Sequence, residues 1–211
     1  MENNCTFNFA WQRLEKVHSA VIERECEELF NIARQDFIRE CPGVIVEIGS
    51  YLGRSTAAIG FGSIGSGKMI YAVDTWEGDD HSGWVIDAET KERGCMVNIF
   101  GANMTWFMEK GMDVDITGIR KDSIKAGDVW EHGEICLLFI DGYHSYTQCL
   151  GDFMAWKGHL IPEARVLFHD YTHETYGVKK AVDELCSAED IVIDHIVGSM
   201  AVCHVPSIQK E

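Results

Sequence analysis

Two acids and two histidines stand just past two short apolar runs: Asp141 and His144 after residues 135–140, His169 and Asp170 after residues 166–168. Two carboxylates, completed by water and substrate oxygens, suit a hard divalent cation such as Mg2+. A histidine beside them also admits Mn2+ or a softer metal. Neighbouring parallel strands lie about 4.8 Å apart, so two such runs side by side would bring Asp141, Asp170 and His169 to one cation. His144 is the candidate general base, because an imidazole titrates near neutrality and can take a hydroxyl proton. His81 is the reserve. Taken singly, Asp141 reads as well as an Asp-Gly turn, His169 as a core histidine and His144 as a helix cap. Their shared position at two strand ends favours a site.

A second group lies in V-E-I-G-S-Y-L-G-R-S-T, residues 46–56. A run carrying Glu47 opens into a loop with Gly49, Ser50 and Gly53, then a helix start at Ser55. A strand, a glycine turn and a helix N-terminus form the ligand corner of open α/β sheets. Backbone can approach a ligand at Gly49 and Gly53, which carry no Cβ. Three ligands compete for the corner. A dinucleotide needs G-x-G-x-x-G, whereas the gap here is three residues and Glu47 would repel a pyrophosphate. A nucleotide-binding protein could use Gly62–Lys68, which satisfies G-x-x-x-x-G-K. However, Met69 replaces the magnesium-holding Ser or Thr, and this loop follows a helix and opens a strand. A glycine-rich connection is the better reading of it.

The third ligand is S-adenosylmethionine. Its ribose hydroxyls suit Asp74 at the end of the next run, and its ammonium and sulfonium welcome Glu47. Trp76, like Trp84 and Trp106, offers a ring for stacking. Asp122–Ser123, after the third run, can hydrogen-bond adenine, although an Asp-Ser pair is also an ordinary helix cap. Asp141 borders both this group and the cation group.

The elements that must hold these residues follow from hydrophobic period. Residues 9 to about 40 carry apolar side chains at three- and four-residue spacing and read as helix, stopped by Pro42–Gly43. Apolar runs at 44–48, 69–73, 114–119, 135–140, 166–168, 191–196 and 200–205 then alternate with helix-like stretches such as 145–160 and 175–186. Strands alternating with helices imply crossovers, a mainly parallel sheet and helices on both faces. Only three residues separate the last two runs, which predicts an antiparallel hairpin at the sheet edge. Residues 77–94 break the rhythm and read as a lid-like insertion. The division is an N-terminal helical segment, 1–42, that caps the site or joins two copies in a homodimer, followed by one α/β domain, 43–211.

The 211 residues suffice for one sizeable core, and a formal charge of −16 opposes nucleic acid or an anionic membrane as partner. A small-molecule acceptor remains the expected partner. The eight cysteines include no C-x-x-C pair, and neither a signal segment nor a membrane-length apolar run is visible, so a cytoplasmic protein with reduced thiols is expected.

Four blocks in order, V-E-I-G-S-Y-L-G-R-S-T, Y-A-V-D-T-W, L-F-I-D-G-Y-H-S-Y and V-L-F-H-D-Y, resemble the class I S-adenosylmethionine-dependent methyltransferases. The likeness is greatest to the small-molecule O-methyltransferase branch with macrocin-type and cephalosporin-hydroxylase-like members, and spans roughly residues 44–205. It implies a Rossmann-like seven-stranded sheet of order 3-2-1-4-5-7-6 with strand 7 antiparallel. It further implies Asp141 and Asp170 as ligands of a metal that chelates the acceptor, with His169 third, where some relatives carry an acid. His144 resembles the family's histidine. One departure is that the Gly-Gly pair usual after L-x-P is Glu163–Ala164 here, which predicts a turn of another shape.

Overall fold

The computed structural model describes residues 5–77 and 96–207. His81, Trp84 and nearly all of the lid-like insertion therefore lie outside the described residues. Along the chain run α1 (Phe7–Leu14), α2 (Glu23–Ala33), α3 (Asp36–Glu40), β1 (Val44–Ile48), α4 (Arg54–Ser63), β2 (Met69–Asp74) and α5 (Met96–Glu109). There follow β3 (Asp115–Arg120), α6 (Ser123–Gly127), β4 (Ile135–Ile140), α7 (Tyr146–Trp156), β5 (Leu160–Phe168), α8 (Val178–Ser187), β6 (Val192–Val197) and β7 (Met200–His204).

The sheet order is β3-β2-β1-β4-β5-β7-β6, as expected from the sequence. Strands β1 to β5 pair in parallel, and β7 runs antiparallel to both β5 and β6. All six residues of β4 are buried, as a strand with helices on both faces requires. One core joins the N-terminal helices, α4 and α5 to one face, through residues such as Leu29, Phe61 and Phe107. The other packs α6 to α8 on the opposite face, around Phe153, Trp156 and Phe168.

Two segments differ from the sequence reading. The single helix expected over 9–40 is three helices. Its periodicity ran on through the break because Val17 and Val21 are themselves buried. The carbonyls released there are satisfied from a distance, since the Arg54 guanidinium donates to Val17 O (2.6 Å) and Val21 O (3.1 Å). Strand β5 starts six residues earlier than the run 166–168. Its pairing with β4 skips from Ile135–Leu160 to Leu137–Arg165, so the extra residues bulge out. Within the bulge Glu163 takes φ +65°, the left-handed conformation that glycine adopts without strain. The Glu163–Ala164 segment is thus a bulge that places a non-glycine residue in the left-handed conformation. Glu163→Gly is expected to raise stability by about 0.5–1 kcal/mol in urea unfolding, the strain relief outweighing the added freedom of the unfolded chain.

Candidate active site

The C-terminal edge of the sheet lines up, in spatial order, Asp122 beyond β3, Asp74 at the end of β2, Gly49 beyond β1, Asp141 beyond β4, and His169–Asp170 beyond β5. The crevice lies where connections turn to opposite sides of β1 and β4. The parallel ladders extend one step past the strands and set the spacing. Gly49 N donates to Val73 O (2.9 Å), Asp141 N to Ile48 O (2.8 Å) and His169 N to Ile140 O (3.0 Å).

The glycine corner is braced from β2. Asp74 accepts from Tyr51 N at 2.8 Å and from Trp76 N at 2.7 Å, and Trp76 Nε1 donates to Tyr51 O at 2.8 Å. Burial raises the Asp74 pKa against those bonds. Trp76 is only 2% exposed and packs on Phe100 with centroids 5.0 Å apart. Its ring is therefore core, bracing the corner from below, and is not free to stack on a cofactor. Alternation along β1 turns Glu47 toward α4, where it is fully buried and accepts from Thr56 Oγ1. Burial pushes the Glu47 carboxyl up to about 7, opposed by the hydroxyls of Ser55, Thr56 and Ser50 and reinforced by Asp141. Glu47 Oε1 and Ser50 Oγ are buried without a well-aligned hydrogen bond, which leaves polar atoms under the Gly49–Gly53 loop for a ligand. Ser55 lies in the first turn of α4, also buried.

Asp122 caps α6, accepting from Lys125 N at 3.1 Å. Ser123 donates to Asp152, which also accepts from Gln148 Nε2 at 3.1 Å. Asp152 is 1% exposed, and burial pushes it up to about 6 despite these bonds. Sequence reasoning missed it. The available signal was an acid on the face of α7 that also carries Cys149, Phe153 and Trp156.

The carboxylates at the ends of β4 and β5 come together, with His144 the histidine grouped with them. Asp141, His144 and Asp170 each place a ligand atom within 4.8 Å of the others. Asp170 Oδ2 lies 2.9 Å from His144 Nε2 and 3.2 Å from His169 Nδ1, while Asp141 Oδ1 is 3.0 Å from the same Nδ1. Asp170 reaches this shared position with φ +59°. The two histidines differ in access. His144 keeps 24% of its side chain exposed and stacks on Tyr176 at 4.5 Å, whereas His169 keeps 4%. Burial alone would lower both imidazoles, but the surrounding carboxylates outweigh it and raise them, His169 far more than His144. Asp170 is held well below the usual carboxylate range, its own burial being outweighed by the two histidines. Behind His169, Nε2 faces Glu25 Oε2 at 3.2 Å. Glu25 comes from α2 and was not a sequence candidate, since a first-turn acid on a helix carries no mark of its distant partner.

The Gly62–Lys68 loop sits at the N-terminal end of β2, the opposite edge from this crevice. Lys68 is 8% exposed and its ammonium donates to the carbonyls of Cys41 and Gly43, the latter at 3.0 Å. The phosphate-loop alternative is thereby corrected, because its lysine is already used as a backbone clamp. Lys68→Met is expected to cost about 2 kcal/mol in urea unfolding. Titration calorimetry should detect no ATP binding to the wild type.

Residues 46–171, more than half of the chain, match the family described as Methyltransferase domain. The chain belongs to this methyltransferase family. It is 31% identical over 140 residues to protein y4gI of Sinorhizobium fredii (strain NBRC 101917 / NGR234), a match covering 64% of this chain and 14% of that protein. The chain thus spans about a seventh of the length of that relative. Its fold is similar to the O-methyltransferase NovP, with TM-score 0.67 and 15% identity over 90% of this chain and 83% of that one. It is also similar to an O-methyltransferase from Bacillus cereus in complex with SAH, with TM-score 0.62 and 13% identity over 94% and 90% of the two chains. A third likeness is to TomG from Streptomyces achromogenes, in complex with SAM, with TM-score 0.60 and 14% identity over 98% and 91%. At such identities these are likenesses of fold. Among the described residues, no helix of the methyltransferase is long and apolar enough to cross a membrane.

Proposed function

We propose that the protein is a cation-assisted O-methyltransferase acting on a hydroxyl of a small metabolite. The observation that carries this reading is the group Asp141, His144, His169 and Asp170, gathered at the ends of β4 and β5 beside the glycine corner. The donor set of two carboxylates and one imidazole, that of His169, fits Mn2+ as well as Mg2+. His169 Nδ1, buried and lacking a well-aligned hydrogen bond, is the atom such a cation would satisfy. NovP and TomG, O-methyltransferases of similar fold, the latter involved in tomaymycin synthesis, support a natural-product hydroxyl as acceptor. The charge of −16 speaks for a small acceptor over nucleic acid, and widely spaced cysteines with no C-x-x-C pair suit a cytoplasmic setting.

S-adenosylmethionine supplies an electrophilic methyl on sulfur, and a divalent cation supplies a lowered hydroxyl pKa. The chain's own residues do the rest. Glu47, with Ser50 beside it, would attract the methionine ammonium, and Asp74 orders the loop that would receive the ribose. Asp141 and Asp170, with His169 third, would hold the cation, while Asp170 and the Tyr176 ring fix the plane of His144. The Nε2 of His144 is engaged by Asp170, so Nδ1 is the atom that would take the acceptor hydroxyl's proton. Orientation of oxygen, carbon and sulfur in line contributes much of the rate.

Calorimetry with S-adenosylhomocysteine tests the first half, and absence of binding at millimolar ligand would overturn it. Transfer of labelled methyl to a panel of hydroxylated metabolites, with chelator or with Mg2+ or Mn2+, tests the second. Equal transfer in chelator and in metal would remove the cation from the reading and leave the methyltransferase. His144→Ala should lose at least a hundredfold in turnover with cofactor affinity retained.

A further inference from the structure

We propose that Glu25, in the N-terminal segment and outside the family-matched residues, is a positioning residue that aims His169 at the cation group. This rests on the cation reading above. The geometry is that of a ligating imidazole held from behind by a carboxylate. His169 Nε2 lies 3.2 Å from Glu25 Oε2, and the opposite nitrogen, Nδ1, lies 3.0 Å from Asp141 Oδ1 and 3.2 Å from Asp170 Oδ2. A ring whose Nε2–H is committed to Glu25 turns Nδ1 between the two acids, where it would become a ligand on giving up its proton as a cation binds. That atom is fully buried and has no well-aligned hydrogen bond.

Glu25 is itself held on every side. Its Oε2 also accepts from Ile22 N at 2.9 Å, which ties it to the start of α2. Its Oε1 accepts from Ser199 N at 2.7 Å and Ser199 Oγ at 3.0 Å, in the turn between β6 and β7. That turn leaves room for it only because residue 198 is glycine. A Cβ there would lie 2.2 Å from Glu25 Oε1, and Gly198 has φ +64°. Glu25 is 2% exposed, and a buried carboxylate is costly unless so many donors surround it. A capping box alone asks only for the Ile22 contact. The contacts to His169 and Ser199 belong to the site.

Mn2+ alone, titrated into the full-length protein and followed by electron paramagnetic resonance, tests the proposal without need of an acceptor. Glu25→Ala and Glu25→Gln should each weaken Mn2+ binding by 10- to 100-fold while S-adenosylhomocysteine affinity stays within threefold. Glutamine preserves shape but must turn its amide nitrogen toward one of the two donor sets, so an isosteric replacement should fail to rescue metal affinity. A purely structural role predicts the reverse, with glutamine restoring both stability and Mn2+ binding. Where Glu25→Ala does not fold, Glu25→Gln decides the matter. Wild-type binding of Mn2+ with unchanged affinity in the folded variants would overturn the role of Glu25 and leave the cation reading standing. Failure of the wild type to bind Mn2+ would overturn the cation reading, and the role of Glu25 with it.

Discussion

Gly49→Ala is expected to destabilise the protein by about 3–5 kcal/mol. Gly49 has φ +84°, where a Cβ is strained regardless of space. Space is also lacking. The added carbon would lie 2.0 Å from Asp141 O and 2.5 Å from Asp141 C. Both are backbone atoms at the end of β4, so no rotamer change relieves the clash, and one strand must move away from the other. Gly53 is the control. It too is left-handed, at φ +91°, but its Cβ would meet the flexible end of Met104, 2.3 Å away. Gly53→Ala should therefore cost only about 1–2 kcal/mol. Urea unfolding of the two variants measures the difference. Equal losses would mean that Gly49 does not wedge the corner against the Asp141 loop. The functional consequence follows from that wedge: Gly49→Ala should abolish S-adenosylhomocysteine binding and disturb the cation group together.

The second large effect concerns Glu47, whose folded-state pKa of about 7 stands above its ordinary 4.5. An acid raised on folding binds more protons in the folded than in the unfolded state between those two values. Stability of the free protein must then fall as pH rises from about 4.5 through 7, by on the order of 3 kcal/mol. Asp152, raised from 3.8 to about 6, adds a slope of the same sign over its own window. Glu47→Gln removes the Glu47 contribution, so at pH 8 the variant should be the more stable protein by about 2–3 kcal/mol. Below pH 4.5 the two should converge. Cofactor binding should run the other way. The ammonium of S-adenosylhomocysteine favours the ionised carboxylate, so the variant should bind at least tenfold more weakly at pH 8. The wild-type advantage should shrink as pH falls below 7. Thermal unfolding and calorimetry across pH 5–8 check both slopes, and equal affinity of the two proteins at pH 8 would return Glu47 to a purely structural role.

A burial so costly to the free protein points to how the site was legible in the chain. Glu47 breaks the apolar pattern of a central strand, and Asp141 and His169–Asp170 terminate two more. An ionisable residue at a position whose neighbours are all buried has to be explained, and each such break lay at the crevice. Asp152 was another break of this kind, hidden within a helical period where a single polar residue on an apolar face is easier to pass over. Trp76 shows the converse limit. Its residue type suits stacking on a ligand, yet its indole is spent on Tyr51 O and Phe100. The P-loop-like motif failed for the same reason as Trp76. A motif states which residues are present, whereas the acceptors of Lys68 depend on how β1 and β2 are laid side by side.

Period alone carried the alternation of strands and helices, the edge hairpin and the strand ends where chemistry collects, because side-chain alternation and crossover length are local consequences of which residues must be buried. The sheet order, by contrast, was implied by the resemblance of the four motif blocks to a known family. Partnership among the polar groups was decided only in three dimensions. Glu25 and His169 are 144 residues apart and Arg54 is 37 from the carbonyl it satisfies. Nothing local distinguishes these side chains from ordinary surface charges. Their pairing is imposed once the N-terminal helices pack on the sheet and water is excluded, since a buried charge then has to find its partner among whatever groups the fold has brought within reach.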